Sequence, residues 1–281
     1  MKKTIAILLL LLFACLPLCG ALAQEEKQDV SHYLLLGFDF WGSQEIGTSF
    51  NDTNILFSLD RTNGRILIAT IMRDSYVTLP DGRQSKLNQV VRKSDFETMV
   101  QTVESTLDIE IEAYFAIGAP GFARLIGELG GVEVDISESE YASLQARGMT
   151  ANIPGPGKQV LRGNGLYAYL KDRYMGGGDR ARTGKAQGVL EQLVKQAREM
   201  PLTQLISFAT SALEEIETNA SLPELLELAS SAYAMRDAKV ETFTLPAENT
   251  YQYGTAHGSS IVDADWEANR ALYAAFVRAE E

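Results

Sequence analysis

The stretch YLKDRYMGGGDRARTGK, residues 169–185, gathers three arginines and two lysines around a glycine triplet, in a chain whose formal net charge is −12. Cations concentrated on so acidic a background point to one specific anion rather than to a diffuse polyanion-binding surface. Several charged residues, three of them in this stretch, stand at the ends of apolar elements: Asp39, Asp52, Arg73, Lys86, Arg173, Asp179 and Arg182. Taken singly each has an ordinary explanation, since Asp is common in turns and Arg73-Asp74 is an unremarkable surface pair. In an α/β fold, however, ligands sit outside strand ends, so residues distant in sequence can converge there.

The elements that would bring them together follow from hydrophobic periodicity. HYLLLGFDF (32–40) is a near-continuous apolar run, the pattern of a strand buried on both faces, with Asp39 at its end. NILFSLDRTNGRILIATIMRD predicts two strands joined at Asn63-Gly64 and closing on Arg73-Asp74. Ser94 and Glu97 have capping-box spacing ahead of a helix to about Leu107, and a strand follows at AYFAIG (113–118). PGFARLIGELGG predicts a short helix and VEVDIS a strand, whereas 141–160 is expected to be irregular. Helical periodicity runs from Gly163 to Asp172, from Arg182 to Met200 and through 202–235. A strand KVETFTL and a helix from Asp265 follow, with YQYGTAHGSSIVDAD expected as a loop leading into that helix. Alternating strands and helices define an α/β class, with a mixed central sheet flanked by helices on both sides.

Residues 1–23 read as an export signal: Lys2 and Lys3 open it, an apolar run extends from Ile5 to Leu18, and Ala21-Leu22-Ala23 offers a cleavage site. An uncleaved membrane anchor is the competing reading of the same segment. Residues 24–281 are expected to form one domain. Both cysteines, Cys15 and Cys19, lie inside the signal, so the remainder has no disulfide, thiolate nucleophile or Cys-ligated metal. The acidic balance opposes nucleic acid as a partner. His32 and His257 are the only histidines, which excludes a zinc-protease motif, and HGSS (257–260) lacks the strand-to-helix setting of a nucleophile elbow.

The ordered set LLLGFD, NDTNILFSLD, IMRDSYV, KLN, LIGELGGVEVDI, LYAYLKDRY and DRARTGK resembles the LytR-CpsA-Psr family of extracytoplasmic cell-wall enzymes, over roughly residues 31–192. The resemblance implies that fold, and a phosphotransferase moving a glycopolymer such as teichoic acid or capsule from a polyprenyl diphosphate carrier to peptidoglycan. The work would be done at the outer face of the cytoplasmic membrane with Mg²⁺ or Mn²⁺. It implies Arg73, Arg173 and Arg182 as the catalytic clamp and Lys86, Asn88, Lys171, Asp74 and Asp179 as substrate-binding residues, with Asp179 orienting Arg182. Asp39 and Asp52 would hold the metal. The residue chemistry agrees: guanidinium forks match phosphate oxygens, and carboxylates beside such a clamp would repel a diphosphate unless a cation lay between them.

The departures concern the rim of the clamp. Phe50 stands where the family usually has arginine two positions before the motif aspartate, Lys171 and Lys185 stand at arginine positions, and Ala186 replaces a glutamine. Phe and Ala side chains cannot bind phosphate, and Lys binds it without the two-pronged geometry. The alternative is therefore a relative that binds polyprenyl diphosphate or wall glycan without turnover. A DNA-binding regulator is opposed by the export signal and the acidic balance. The carrier's lipid would need an apolar channel, for which the aliphatic faces of VLEQLV, LISFATSAL and LPELLELASSAYAM are candidate walls, although such faces also serve as ordinary core.

Overall fold

The computed structural model describes residues 29–39, 45–172 and 178–278; the segment read as an export signal lies outside them. In chain order the strands are β1 (Val30–Phe38), β2 (Asn51–Asp60), β3 (Arg65–Ile71), β4 (Tyr76–Thr78), β5 (Gln84–Lys86), β6 (Ile111–Gly118), β7 (Val132–Ile136), β8 (Gly157–Leu161), β9 (Ile216–Thr218), β10 (Lys239–Leu245), β11 (Tyr251–Ala256) and β12 (Ser259–Ala264). The helices are α1 (Val90–Lys93), α2 (Phe96–Leu107), α3 (Ala119–Glu128), α4 (Glu138–Ala146), α5 (Gly163–Lys171), α6 (Gly178–Glu199), α7 (Leu202–Leu213), α8 (Leu222–Ala234) and α9 (Trp266–Arg278). None of the described helices is long and apolar enough to cross a membrane.

Six strands form a mixed sheet in the order β10-β3-β2-β1-β6-β9. β1 pairs in parallel with β6 and antiparallel with β2, which explains why its sequence is apolar at nearly every position. Its side chains alternate between two cores. Leu34, Leu36 and Phe38 pack with Met99 and Val103 of α2 and Tyr273 of α9. On the opposite face Tyr33 packs with Ile55, Leu59 and Ile68 against Leu190 and Val194 of α6 and Leu228 of α8. The sheet is thus covered on both sides by helices, as the alternation of elements predicts. A third cluster, including Ile126, Val134, Leu161, Leu166 and Tyr169, joins α3, α5 and the antiparallel pair β7–β8 beside the sheet.

Several local expectations are corrected. The cap of α2 is Asp95, whose side chain accepts from the Thr98 amide, not Ser94; adjacent Ser and Asp both satisfy N-cap chemistry, and the chain enters the helix one residue later. The β2–β3 connection spans residues 61–64 rather than a two-residue turn, with positive φ at Gly64 alone, because Asp60 accepts from the Asn63 amide and closes a wider loop. Residues 141–160, expected to be irregular, include the end of α4 and the strand β8. Helical 202–235 is interrupted by β9, a three-residue edge strand too short to register as periodicity. The expected loop at 251–265 is the β11–β12 hairpin, with positive φ at His257 and Gly258.

Between the paired strands β1 and β2, the Nδ1 of His32 shares a hydrogen bond of 2.7 Å with the Ser58 hydroxyl, and both residues are buried. Burial pushes the imidazole pKa down to about 4 from 6.5, so the folded state holds it neutral. A lowered histidine pKa contributes full stability above the unfolded value, and that contribution is lost as pH falls from 6.5 toward 4. At pH 5 the loss is expected to be about 2 kcal/mol. Thermal unfolding at pH 7 and pH 5 should therefore show a larger drop for the native chain than for His32→Asn, and equal drops would contradict a neutral buried imidazole.

Candidate active site

The C-terminal end of β1, the N-terminal end of β2 and the C-terminal end of β3 meet at one edge of the sheet, because β2 runs antiparallel to both neighbours. Asp39 follows β1 directly, and its amide approaches the Phe50 carbonyl at 3.4 Å. Asp52 is aimed by a bulge. The register pairs Gly37 with Thr53 but Phe38 with Asn51, which leaves Asp52 as the extra residue. Gly37 permits this approach, since a Cβ there would lie 3.0 Å from the Thr53 Cβ. Across the bulge, buried Asn51 donates to the Asn54 side chain. Arg73 stands two residues beyond β3, where the Met72 amide donates to the Leu245 carbonyl at 2.8 Å and the Asn88 amide to the Arg73 carbonyl at 2.9 Å.

Asp39, Asp52, Arg73 and Lys171 line one cavity of about 270 Å³. Arg73 donates to Asp52 at 2.8 Å, and both side chains are mostly covered. Lys171, in the last turn of α5, pairs with Asp39 at 2.9 Å and donates to the Tyr167 hydroxyl at 2.7 Å, while that hydroxyl donates to Asp39. Burial works against the Lys171 charge, but the bonds to Tyr167 and Asp39 hold it above the usual lysine range. Burial, followed by the hydrogen bond to Asp39, raises the Tyr167 phenol, which therefore stays protonated at neutral pH. Sequence reasoning missed Tyr167; its one signal is the spacing to Lys171, a single helical turn.

Asp74, Lys86 and Asn88 stand together beside Arg73 but do not line the cavity. Lys86 pairs with Asp74 at 2.6 Å and donates to the Ser260 carbonyl at 3.1 Å, and the Asn88 amide group lies 3.4 Å from Asp74. The other Asp74 oxygen is 3.5 Å from Arg73 Nε. This group backs Arg73 from outside the cavity. Lys185 also points away from the cavity: its ammonium is buried between Asp172 at 3.4 Å and Glu140 at 3.2 Å and sits 4.6 Å from the Tyr169 ring centroid. Ala186 lies in the cavity wall. Arg173 and the side chains of Asp179 and Arg182 lie outside the described residues.

From this mouth the cavity runs under α6 along the apolar face of the sheet. Leu35, Phe115, Phe122, Leu190, Leu193 and Ile216 line it, and the same six residues line a second apolar cavity of about 480 Å³. The second cavity continues between the sheet and α6, α7 and α8, past Val194, Phe208, Leu225 and Leu228. The candidate walls at 189–194 and 222–235 therefore contribute lining as well as core, and Phe208 and Leu213 of the wall at 205–213 contribute lining. A charged mouth joined to so long an apolar trough suits an amphiphile with an anionic head.

Among the described residues Asp39 and Asp52 are the only acids lining the mouth, and no cluster of three or more His, Cys, Asp or Glu side chains could hold a metal ion. A two-carboxylate set matches a cation that completes its shell with water and phosphate oxygens, as Mg²⁺ does, and does not match a fully protein-caged metal.

The family model described as the LytR_cpsA_psr family matches residues 18–269. The polyisoprenyl-teichoic acid–peptidoglycan teichoic acid transferase TagV of Bacillus subtilis is 26% identical over 206 residues, 72% of this chain and 53% of TagV, so the chain spans about half the length of that relative. The solved structure of TagT bound to LIIa-WTA superposes with a TM-score of 0.73 at 20% identity, covering 90% of this chain and 91% of that one. A family protein, YwtF (TagT), with bound octaprenyl pyrophosphate lipid matches with a TM-score of 0.69 at 19% identity, covering 92% of each chain. At these identities the structural matches establish the fold.

Proposed function

Because the chain belongs to the LytR-CpsA-Psr family, we propose that it is an extracytoplasmic phosphotransferase moving a glycopolymer from a polyprenyl diphosphate carrier to peptidoglycan at the outer face of the cytoplasmic membrane. The observation that carries this reading is the continuity between the mouth formed by Arg73, Lys171, Asp39 and Asp52 and the apolar trough beneath α6. The trough would take the isoprenoid chain and the mouth its diphosphate. A relative of matching fold holding octaprenyl pyrophosphate, and another named as a teichoic acid transferase, support the assignment.

In this reading Arg73 grips a nonbridging phosphate oxygen, and Asp74 and Lys86 hold Arg73 in place from behind. Lys171 neutralises the charge that builds on the leaving carrier phosphate. Arg173 and Arg182 are assigned to the same clamp by motif, with Asp179 orienting Arg182. A hydroxyl of the wall acceptor forms the new P–O bond to the polymer-linked phosphorus, its proton passing to solvent, as the anhydride P–O bond breaks and polyprenyl phosphate leaves. Asp39 and Asp52 would hold Mg²⁺ or Mn²⁺, which when bound supplies Lewis-acid neutralisation of the diphosphate. Without it, the pairings with Lys171 and Arg73 keep both carboxylates compensated.

The test is turnover. Purified protein given a polyprenyl diphosphate-linked sugar and a glycan acceptor, with Mg²⁺, is expected to release polyprenyl phosphate and label the glycan. Tight binding of the carrier with no release would favour the noncatalytic relative, and absence of both would overturn the reading.

A further inference from the structure

The loop entering β2 carries Phe50, a large aromatic side chain left 39% exposed two residues before Asp52 and outside the cavity lining. The guanidinium of Arg92, at the end of α1, lies over its ring with Cζ 4.7 Å from the centroid. Both partners are tied to the mouth through the backbone. The Phe50 carbonyl faces the Asp39 amide at 3.4 Å, and Phe50 precedes Asp52 by two residues. The helical turn leading into α1 is anchored where the Asn88 amide donates to the Arg73 carbonyl at 2.9 Å. Among the described residues Arg92 has no carboxylate partner and donates no hydrogen bond, and its side chain is exposed. A guanidinium held over an aromatic face keeps its N–H groups available for an anion while losing part of its freedom to swing away.

We propose that Arg92, held on Phe50, is a phosphate-binding residue at the rim of the mouth, taking an oxygen of the diphosphate group beyond the one gripped by Arg73. Phe50, which cannot bind phosphate itself, is the platform that places this cation. The inference rests on the carrier-diphosphate reading above, and it adds a residue that the motif pattern does not assign.

Binding of farnesyl diphosphate and of farnesyl monophosphate to the full chain, in the presence of Mg²⁺, tests it. Arg92→Ala is expected to weaken the diphosphate about tenfold, the loss of one charge-assisted hydrogen bond, and to change the monophosphate less than about twofold. Phe50→Leu is expected to reproduce most of that loss, and the double variant to lose little more than Arg92→Ala alone. Equal affinity of Arg92→Ala and the native chain for the diphosphate would overturn the inference. Equal losses on both probes would also overturn it, since they would mark general attraction rather than a subsite. Additive losses in the double variant would remove the platform and the proposal with it. Failure of the native chain to bind farnesyl diphosphate would instead strike the carrier reading itself, and Arg73→Ala, expected to weaken both probes, separates these cases.

Discussion

Arg73→Ala is expected to lower kcat/KM on a polyprenyl diphosphate-linked substrate by about a thousandfold, the scale lost when a preorganised cation is removed from a phosphoryl-transfer site. Two effects act together. The fork that would stabilise charge on the breaking anhydride is gone, and Asp52 loses its bond to Arg73 at 2.8 Å, so its charge repels the incoming diphosphate more strongly. The first effect lowers kcat and the second raises KM, so both constants should move. Arg73→Lys, which keeps the charge but not the planar fork, is expected to recover affinity more fully than kcat. Thermal stability should fall as well, by less than for a fully buried pair, because Arg73 and Asp52 are mostly covered but keep some access to water in the cavity mouth. Turnover of Arg73→Ala within tenfold of the native chain would remove Arg73 from the clamp.

The position of Arg73 was legible because apolar strands end abruptly in charge, and strand ends converge in this class of fold. Asp39 and Asp52 were visible for the same reason. What aims Asp52 was not: the bulge depends on a register shift between Gly37 and Phe38, and a single sequence shows the glycine but not the pairing across it. Lys86 illustrates a second limit. A lysine near a phosphate motif reads as a point charge for the ligand, yet its ammonium lies 2.6 Å from Asp74 and outside the cavity. Lys185 is similar, since only the tertiary fold brings Glu140 and Asp172 around it. Side-chain direction at a strand or helix end is decided by neighbours far away in sequence, which periodicity does not report. The apolar trough was ambiguous for the opposite reason: Leu190 and Val194 face both the sheet core and the cavity, so one hydrophobic pattern serves two purposes. The short elements β9 and β11–β12 escaped because three- to six-residue strands carry too few alternations to stand out.

Arg65→Met is expected to destabilise the fold by about 3–5 kcal/mol, the usual cost of stripping one partner from a buried ion pair. Arg65 opens β3 and is 5% exposed, and its Nε donates to Asp60 at 2.8 Å, a residue with no exposure at all. It also donates to Glu241 of β10 at 3.1 Å and to the Phe276 and Val277 carbonyls at the end of α9. One guanidinium thereby satisfies a buried carboxylate and two helix-end carbonyls, and fixes α9 against the sheet. Methionine fills similar volume but donates to none of these acceptors, leaving Asp60 with its bonds from Asn63 and Glu241 with Lys239, so the midpoint of thermal unfolding should fall by roughly 10 °C. The pH dependence provides the stricter check. Burial alone would raise the Asp60 pKa, but hydrogen bonds from Asn63 and Arg65 and the Arg65 charge hold it below the usual carboxylate range. A depressed carboxylate contributes stability above its unfolded pKa and loses it as pH falls through the folded value. Without Arg65 its share of that contribution is lost while that of Asn63 remains, so the gap between native and variant should be widest near neutrality and narrow on acidification below about pH 4. Asp60→Asn in the Arg65→Met background removes the uncompensated charge and should recover part of the loss, whereas additive losses from the two substitutions would mean that the pair is not coupled.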